Sequence, residues 1–194
     1  MTNLKNKMRL AVAVAICLAA LLTTSCERYI EVTGITLNKS TLTLEVGQWE
    51  TLIATVTPAK ATNKTVIWTI VDGTSATVVD GIVTALPLVG KTTVVAKAGN
   101  YIATCEVTVV LKSVAGTTWT GYDYYDNYNR LKFTNATNCT LYSDAGNFSG
   151  TYTQNNTNMS VKLPGYTNFS GTINSTGTMM TLKSGSYTID LTKQ

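Results

Sequence analysis

Whatever chemistry this chain performs must come from a short list of residue types. Its 194 residues include no histidine, which removes the commonest metal ligand, the usual general base and the Ser-His-Asp triad together. The densest run of reactive groups is Tyr122-Asp123-Tyr124-Tyr125-Asp126-Asn127-Tyr128. Two carboxylates at that spacing could form a glycosidase pair or part of a calcium site. In a predicted hairpin their expected role is plainer: they solvate the loop. Asp144 and Asp190 stand alone and read as surface charges, and Lys112-Ser113 and Lys183-Ser184 fall at strand ends outside any Ser-Lys motif. CxxC pairs, phosphate-cradling glycine loops and acidic EF-hand runs are absent from the sequence. No catalytic residue, metal or cofactor is expected, and the chain reads as a non-enzyme.

The tyrosines of the same run have a stronger claim. A tyrosine ring offers a large amphipathic area at low entropic cost, which suits contact with sugars or proteins. Tyr122, Tyr124, Tyr125 and Tyr128 cannot all face one way along a strand, so some must be exposed. These four are the candidate ligand contacts. The competing expectation is that they cover the mouth of a barrel and pair across the sheet.

The elements that would carry such a site follow from the rest of the chain. Lys5, Lys7 and Arg9 precede an apolar run from Leu10 to Leu22, after which Thr23, Thr24 and Ser25 lead to Cys26. Basic flank, short apolar run and small residues make a secretory signal too short to span a membrane. The cysteine directly after it resembles the lipobox of bacterial lipoproteins, with Thr23 where that motif prefers Leu. The resemblance implies cleavage after residue 25 and a lipid anchor on Cys26. Residues 26–31 then form a tether with a reach of at most about 17 Å.

Removing the three basic residues of the signal changes the charge balance. The formal +4 falls to +1, with 12 Lys and Arg against 11 Asp and Glu. That is no electrostatic footprint for nucleic acid. The remaining cysteines, Cys105 and Cys139, are too few for a disulfide scaffold and read as two buried or half-buried thiols.

Residues 32–111 alternate apolar and polar side chains between turn signals. Ile35, Leu37, Leu42 and Leu44 flank Asn38-Lys39-Ser40; Val66, Trp68 and Ile70 precede Asp72-Gly73; Ala103, Cys105, Val107 and Val109 follow Gly99-Asn100. Period-two alternation at regular turn spacing predicts an antiparallel sandwich. Val32-Thr33-Gly34-Ile35-Thr36-Leu37, Ala54-Thr55-Val56-Thr57-Pro58 and Asp80-Gly81-Ile82-Val83-Thr84-Ala85 resemble the bacterial Ig-like group 2 (BIG2) family, in order along the whole segment. The resemblance implies a two-sheet Ig-like fold of bacterial surface proteins, adhesins among them, and no catalysis. Trp68 is expected between the sheets and Cys105 in the core.

Residues 112–194 are rich in Thr, Asn, Ser, Gly and Tyr, yet an alternating apolar set persists from Trp119 to Leu191. About eight short strands are predicted, each apolar on one face, enough for a small barrel or half-barrel. Asn147-Phe148-Ser149-Gly150-Thr151 recurs as Asn168-Phe169-Ser170-Gly171-Thr172, and Met159-Ser160-Val161-Lys162 as Met180-Thr181-Leu182-Lys183. Each copy reads as one hairpin whose inward glycine lets the strand coil. Gly116-Thr117-Thr118-Trp119 followed by Phe148-Ser149-Gly150-Thr151-Tyr152 resembles a short lipocalin- or avidin-like barrel. That resemblance implies architecture and no binding residue.

The fold class expected is therefore all-β: an Ig-like β-sandwich, then a small antiparallel β-meander barrel or half-barrel. The function expected is that of a non-catalytic cell-envelope lipoprotein. Its membrane partner is reached through the N-terminal lipid, at the outer membrane, facing the surface or the periplasm. The sandwich would be a membrane-proximal spacer and the second domain would meet an extracellular glycan or protein. The alternatives are a small-ligand carrier using the barrel interior, or an accessory subunit of an envelope complex.

Overall fold

The computed structural model describes residues 28–194. The signal segment, Cys26 and the first tether residues lie outside them. Every regular element among the described residues is a β-strand, so the described part of the chain is all-β.

The first nine strands are β1 (Gly34–Leu37), β2 (Thr41–Glu45), β3 (Trp49–Thr51), β4 (Ala54–Thr57), β5 (Ile67–Asp72), β6 (Ala76–Val79), β7 (Ile82–Ala85), β8 (Gly90–Ala98) and β9 (Tyr101–Val110). They form sheets ordered β2-β9-β8-β5 and β3-β7-β6, with a β1-β4 pair beside them. Inward residues such as Leu42, Leu44, Val83, Val94, Cys105 and Val107 fill the space between the sheets. Cys105 is fully buried beside Val107, as its parity predicts.

Three features differ from a plain antiparallel reading. β2 runs parallel to β9. The Asn38-Lys39-Ser40 turn does not close a hairpin: β1 pairs with β4 while β2 joins β9, so the chain changes sheets there. Alternation reports which face of a strand is buried and not which strand lies beside it. Trp68 faces inward and packs against both sandwich clusters, but β5 is an edge strand, so the ring is only half-buried. The tight turn at Asp80-Gly81 is present, both residues having positive φ, as a two-residue hairpin connection requires.

The second unit is a closed barrel of eight antiparallel strands: β10 (Thr118–Asp123), β11 (Tyr128–Phe133), β12 (Asn138–Ser143), β13 (Gly146–Asn155), β14 (Asn158–Lys162), β15 (Asn168–Ile173), β16 (Met179–Ser184) and β17 (Tyr187–Lys193). Each pairs with its sequence neighbour, and β17 returns to pair with β10. The inward alternation set fills the interior: Trp119, Phe133, Leu141, Val161, Phe169 and Leu191 are all essentially inaccessible. This is a packed core, as small eight-stranded barrels have. Gly121, Gly150 and Gly171 show how the curvature is reached. A Cβ at each would collide with the backbone carbonyl oxygen of Asp190, Lys162 or Thr181 on the neighbouring strand. At these points adjacent strands cross too tightly for any side chain, so the repeated glycine marks a coil of the sheet.

The segment between the units is stitched down. Leu111 and Val114 are buried in the barrel core cluster, against which Val46 and Val89 of the sandwich also pack. Leu111 N donates to Asn156 Oδ1 at 3.1 Å, Val114 N donates to Gln154 Oε1 at 2.9 Å, and Gln154 Nε2 returns a bond to Lys112 O at 3.3 Å. The opposite end of the sandwich holds the chain's entry. Ile30 N donates to Thr62 Oγ1 and Thr62 N to Ile30 O, both at 2.8 Å. The Gly99 hairpin tip lies against Val32. β9 connects the two ends: its 10 residues span about 33 Å, from the hairpin tip beside Val32 to the junction at Leu111.

Candidate functional site

Four turns of the barrel lie at the end away from the sandwich, those after β10, β12, β14 and β16. The first contains the tyrosine and aspartate run. Asp123 closes β10 on the same parity as Trp119 and Gly121, which sends its carboxylate inward; it is only 8% exposed. Its Oδ1 accepts from Tyr125 N at 2.8 Å and Asn127 N at 3.0 Å, and the Asn127 side-chain amide reaches both oxygens. From the adjacent strand β17 the Tyr187 hydroxyl donates to Oδ2 at 2.6 Å. A short carboxylate bonding to the backbone two and four residues on is an Asx-type turn anchor.

The electrostatics follow from those bonds. Burial alone would raise the Asp123 carboxyl, but donation from Tyr187, Asn127 and Tyr125 outweighs it and holds the group at about 2. Tyr187 moves the other way: burial, then its bond to Asp123, push the phenol well above its usual range. Asp123 thus departs from the loop-solvating role expected of it, because strand parity places it inside the barrel. Asp126 is exposed at positive φ in the turn. The two carboxylates occupy different environments and do not converge as a pair. Among the described residues no group of three or more metal-ligating side chains occurs.

Beneath this turn Asn129 is fully buried. Its amide donates to Asn127 O at 2.9 Å, while its Oδ1 has no protein partner among the described residues. An inward asparagine in a barrel core costs free energy unless its groups are paired.

The four candidate tyrosines all lie outside the mouth. Exposure runs from 46% for Tyr128 to 83% for Tyr124, so none is a lid. Tyr122 and Tyr128 are register partners on the outer face, with ring centroids 5.6 Å apart and edge-on. Tyr124 and Tyr125 make a second edge-on pair at 5.4 Å in the turn. Arg130 continues the outer face and lies 4.2 Å over the Tyr142 ring. The mouth itself is lined by aromatics that the sequence reading did not single out as site residues. Tyr166 stacks on Phe148 at 4.1 Å, and Tyr187 leans on Phe169 at 6.0 Å. Between them is a cleft of about 250 Å³ lined by Asp123, Asn127, Ser143, Asp144, Tyr166 and Tyr187. Parity from Trp119 could have found Asp123; nothing in the sequence around Tyr166, in a loop, signals that it folds over the mouth.

Residues 31–120 match the family of bacterial Ig-like domains (group 2). The match takes in the whole sandwich and the connecting segment and ends inside β10. The chain is also similar to an Ig-like virion protein of Serratia phage KSP90, 44% identical over 87 residues. That alignment covers 41% of this chain and 32% of the phage protein, so the chain spans about a third of the relative it matches. Strand order, core parity and the family match agree on one conclusion: the sandwich portion of this chain is a bacterial Ig-like domain of group 2.

Proposed function

We propose that this chain is a non-catalytic, lipid-anchored protein of the bacterial cell envelope, in which the Ig-like domain is a spacer and the barrel tip recognises an extracellular glycan or protein. The anchor would be Cys26. One observation carries the reading: four exposed tyrosines sit at the barrel end farthest from the point where the tether enters the sandwich. Entry beside Thr62 and exit at Leu111 lie at opposite ends of β9, so an anchor on one side holds the tip away from the membrane. Exposed aromatic groups bearing hydroxyls are typical recognition contacts. The packed interior argues against the carrier alternative, since the rings that would line a cavity fill the core instead. Asp123 is fully occupied in holding its own turn, which leaves no poised acid or base in the run. Turnover of any substrate abolished by Asp123→Asn or Asp126→Asn would overturn the non-catalytic part.

The test is removal of residues 112–194 from the full protein, with binding to cells and to a glycan array as readout. Loss of binding is expected, together with a diacylated Cys26 by mass spectrometry. Undiminished binding by the truncated protein would reject the division of labour. A second reading, a structural subunit of an envelope assembly, is favoured by the similarity to a phage virion protein. It predicts a stable protein partner retained on cross-linking and a blank glycan array.

A further inference from the structure

We infer that the cleft in the distal barrel mouth is a subsite for one neutral sugar ring. This rests on the reading of the tip as a recognition surface and gives that surface a ligand class. At about 250 Å³ the cleft falls below the roughly 300–1,000 Å³ of pockets that enclose drug-sized molecules, so it suits a single ring. All four distal turns or their flanking strands contribute to it: Asp123 and Asn127, Ser143 and Asp144, Tyr166, and Tyr187. The barrel scaffold therefore fixes their relative positions.

The lining specifies the ligand by what it offers and what it lacks. No lysine or arginine borders the cleft. A phosphate, sulfate or carboxylate would lose its hydration, find no counter-charge, and face the ionised Asp123. Asp123 offers a cation no open oxygen, because both are taken by Tyr187, Asn127 and Tyr125, and the exposed Asp144 is a single solvated charge. The Asp144 carboxylate is exposed and takes no hydrogen bond among the described residues, which leaves it free to accept from ligand hydroxyls. Tyr166 is 37% exposed and held flat against Phe148 with 19° between the planes, a preorganised apolar surface at the cleft. Ser143 and the Asn127 side chain add further polar groups at the cleft wall. Acceptors beside a fixed aromatic ring match a molecule that donates many hydrogen bonds and carries C–H faces. A pyranose does both; the tyrosines outside the mouth would then meet the units that follow it.

The experiment titrates the full-length protein with methyl glycosides of glucose, galactose, mannose and N-acetylglucosamine, and with glucose 6-phosphate and glucosamine as charged controls. Intrinsic fluorescence is the readout. Saturable binding of at least one neutral glycoside is expected, weakened tenfold or more by Asp144→Asn and by Tyr166→Ala, and unchanged by Trp49→Ala on the sandwich. Asp144→Asn changes only an exposed turn residue, so its effect does not depend on refolding. No binding across the neutral panel, tighter binding of either charged control, or binding indifferent to both mouth variants would overturn the inference. If array binding survives both mouth variants but disappears when Tyr122, Tyr124, Tyr125 and Tyr128 are replaced by Ala, the tip still recognises its target and the cleft does not. If truncation after residue 111 also leaves array binding intact, the broader reading falls with it.

Discussion

A single carboxylate organises the distal mouth. Asp123 sits in an acidic, tyrosine-rich run that reads from sequence as a wet loop, yet it belongs to the inward series Trp119, Gly121, Asp123. Local polarity and strand parity gave opposite answers there, and parity prevailed because the carboxylate found five donated bonds inside. Its folded pKa of about 2 lies below the ordinary 3.8. As pH falls, the unfolded chain takes up this proton first. The stabilisation is therefore complete above about pH 4 and disappears as pH drops towards 2. Tyr187→Phe removes the bond from β17 to the end of β10 and should destabilise the barrel by about 1.5–3 kcal/mol at neutral pH. It should also raise the Asp123 pKa, shifting the acid limb of a pH–stability curve upward. An unchanged acid limb in Tyr187→Phe would show that the turn alone holds the group. The thiols give a second residue-scale expectation. Burial pushes Cys139 up to about 11 and raises Cys105, so neither should react with a thiol reagent until the protein unfolds.

At the scale of elements, the 21-residue repeat carried more information than its polar composition suggests. It announced paired hairpins with an inward glycine, and β13 to β16 place those glycines where neighbouring strands cross most closely. Gly171→Ala should cost at least about 3 kcal/mol, because the added methyl meets the rigid Thr181 backbone and not a side chain that can rotate away. Ser170→Ala, at the exposed neighbouring position, should stay within about 0.5 kcal/mol. Urea denaturation of the two variants checks both figures. What alternation could not supply was partnership. Leu37 and Leu42 show the parity of a hairpin, but the backbone between them passes from one sheet to the other. The parallel β2–β9 pairing joins residues about 65 positions apart, a separation that a period-two pattern does not encode.

At the scale of the whole molecule, the segment between the two units is packed and hydrogen-bonded to the barrel. Composition alone marks Lys112 to Thr118 as a connector; it does not show Leu111 and Val114 buried under the barrel. The side chains of Gln154 and Asn156 secure that segment through its backbone amides. Replacing both, with Gln154→Ala and Asn156→Gly, keeps the positive-φ turn at 156 permissible. The double variant should leave the melting of each unit within a few degrees of the parent. Small-angle scattering should nevertheless report a broader distribution of interdomain distances. A profile identical to the parent would show that the apolar contacts of Val46 and Val89 suffice to hold the junction.

The pairing of β17 with β10 has a consequence for biosynthesis. Trp119 lies opposite Lys193, and Gln194 N donates to Thr118 O, so the strand made first waits for the one made last. Until β17 is present the barrel cannot close, whereas every strand of the sandwich is already available and that unit can fold. The barrel at that moment is an open meander with two unpaired margins and its aromatic interior uncovered. Loss of β17 would leave that state permanent, and a holdase acting on this protein would find its target in the barrel strands.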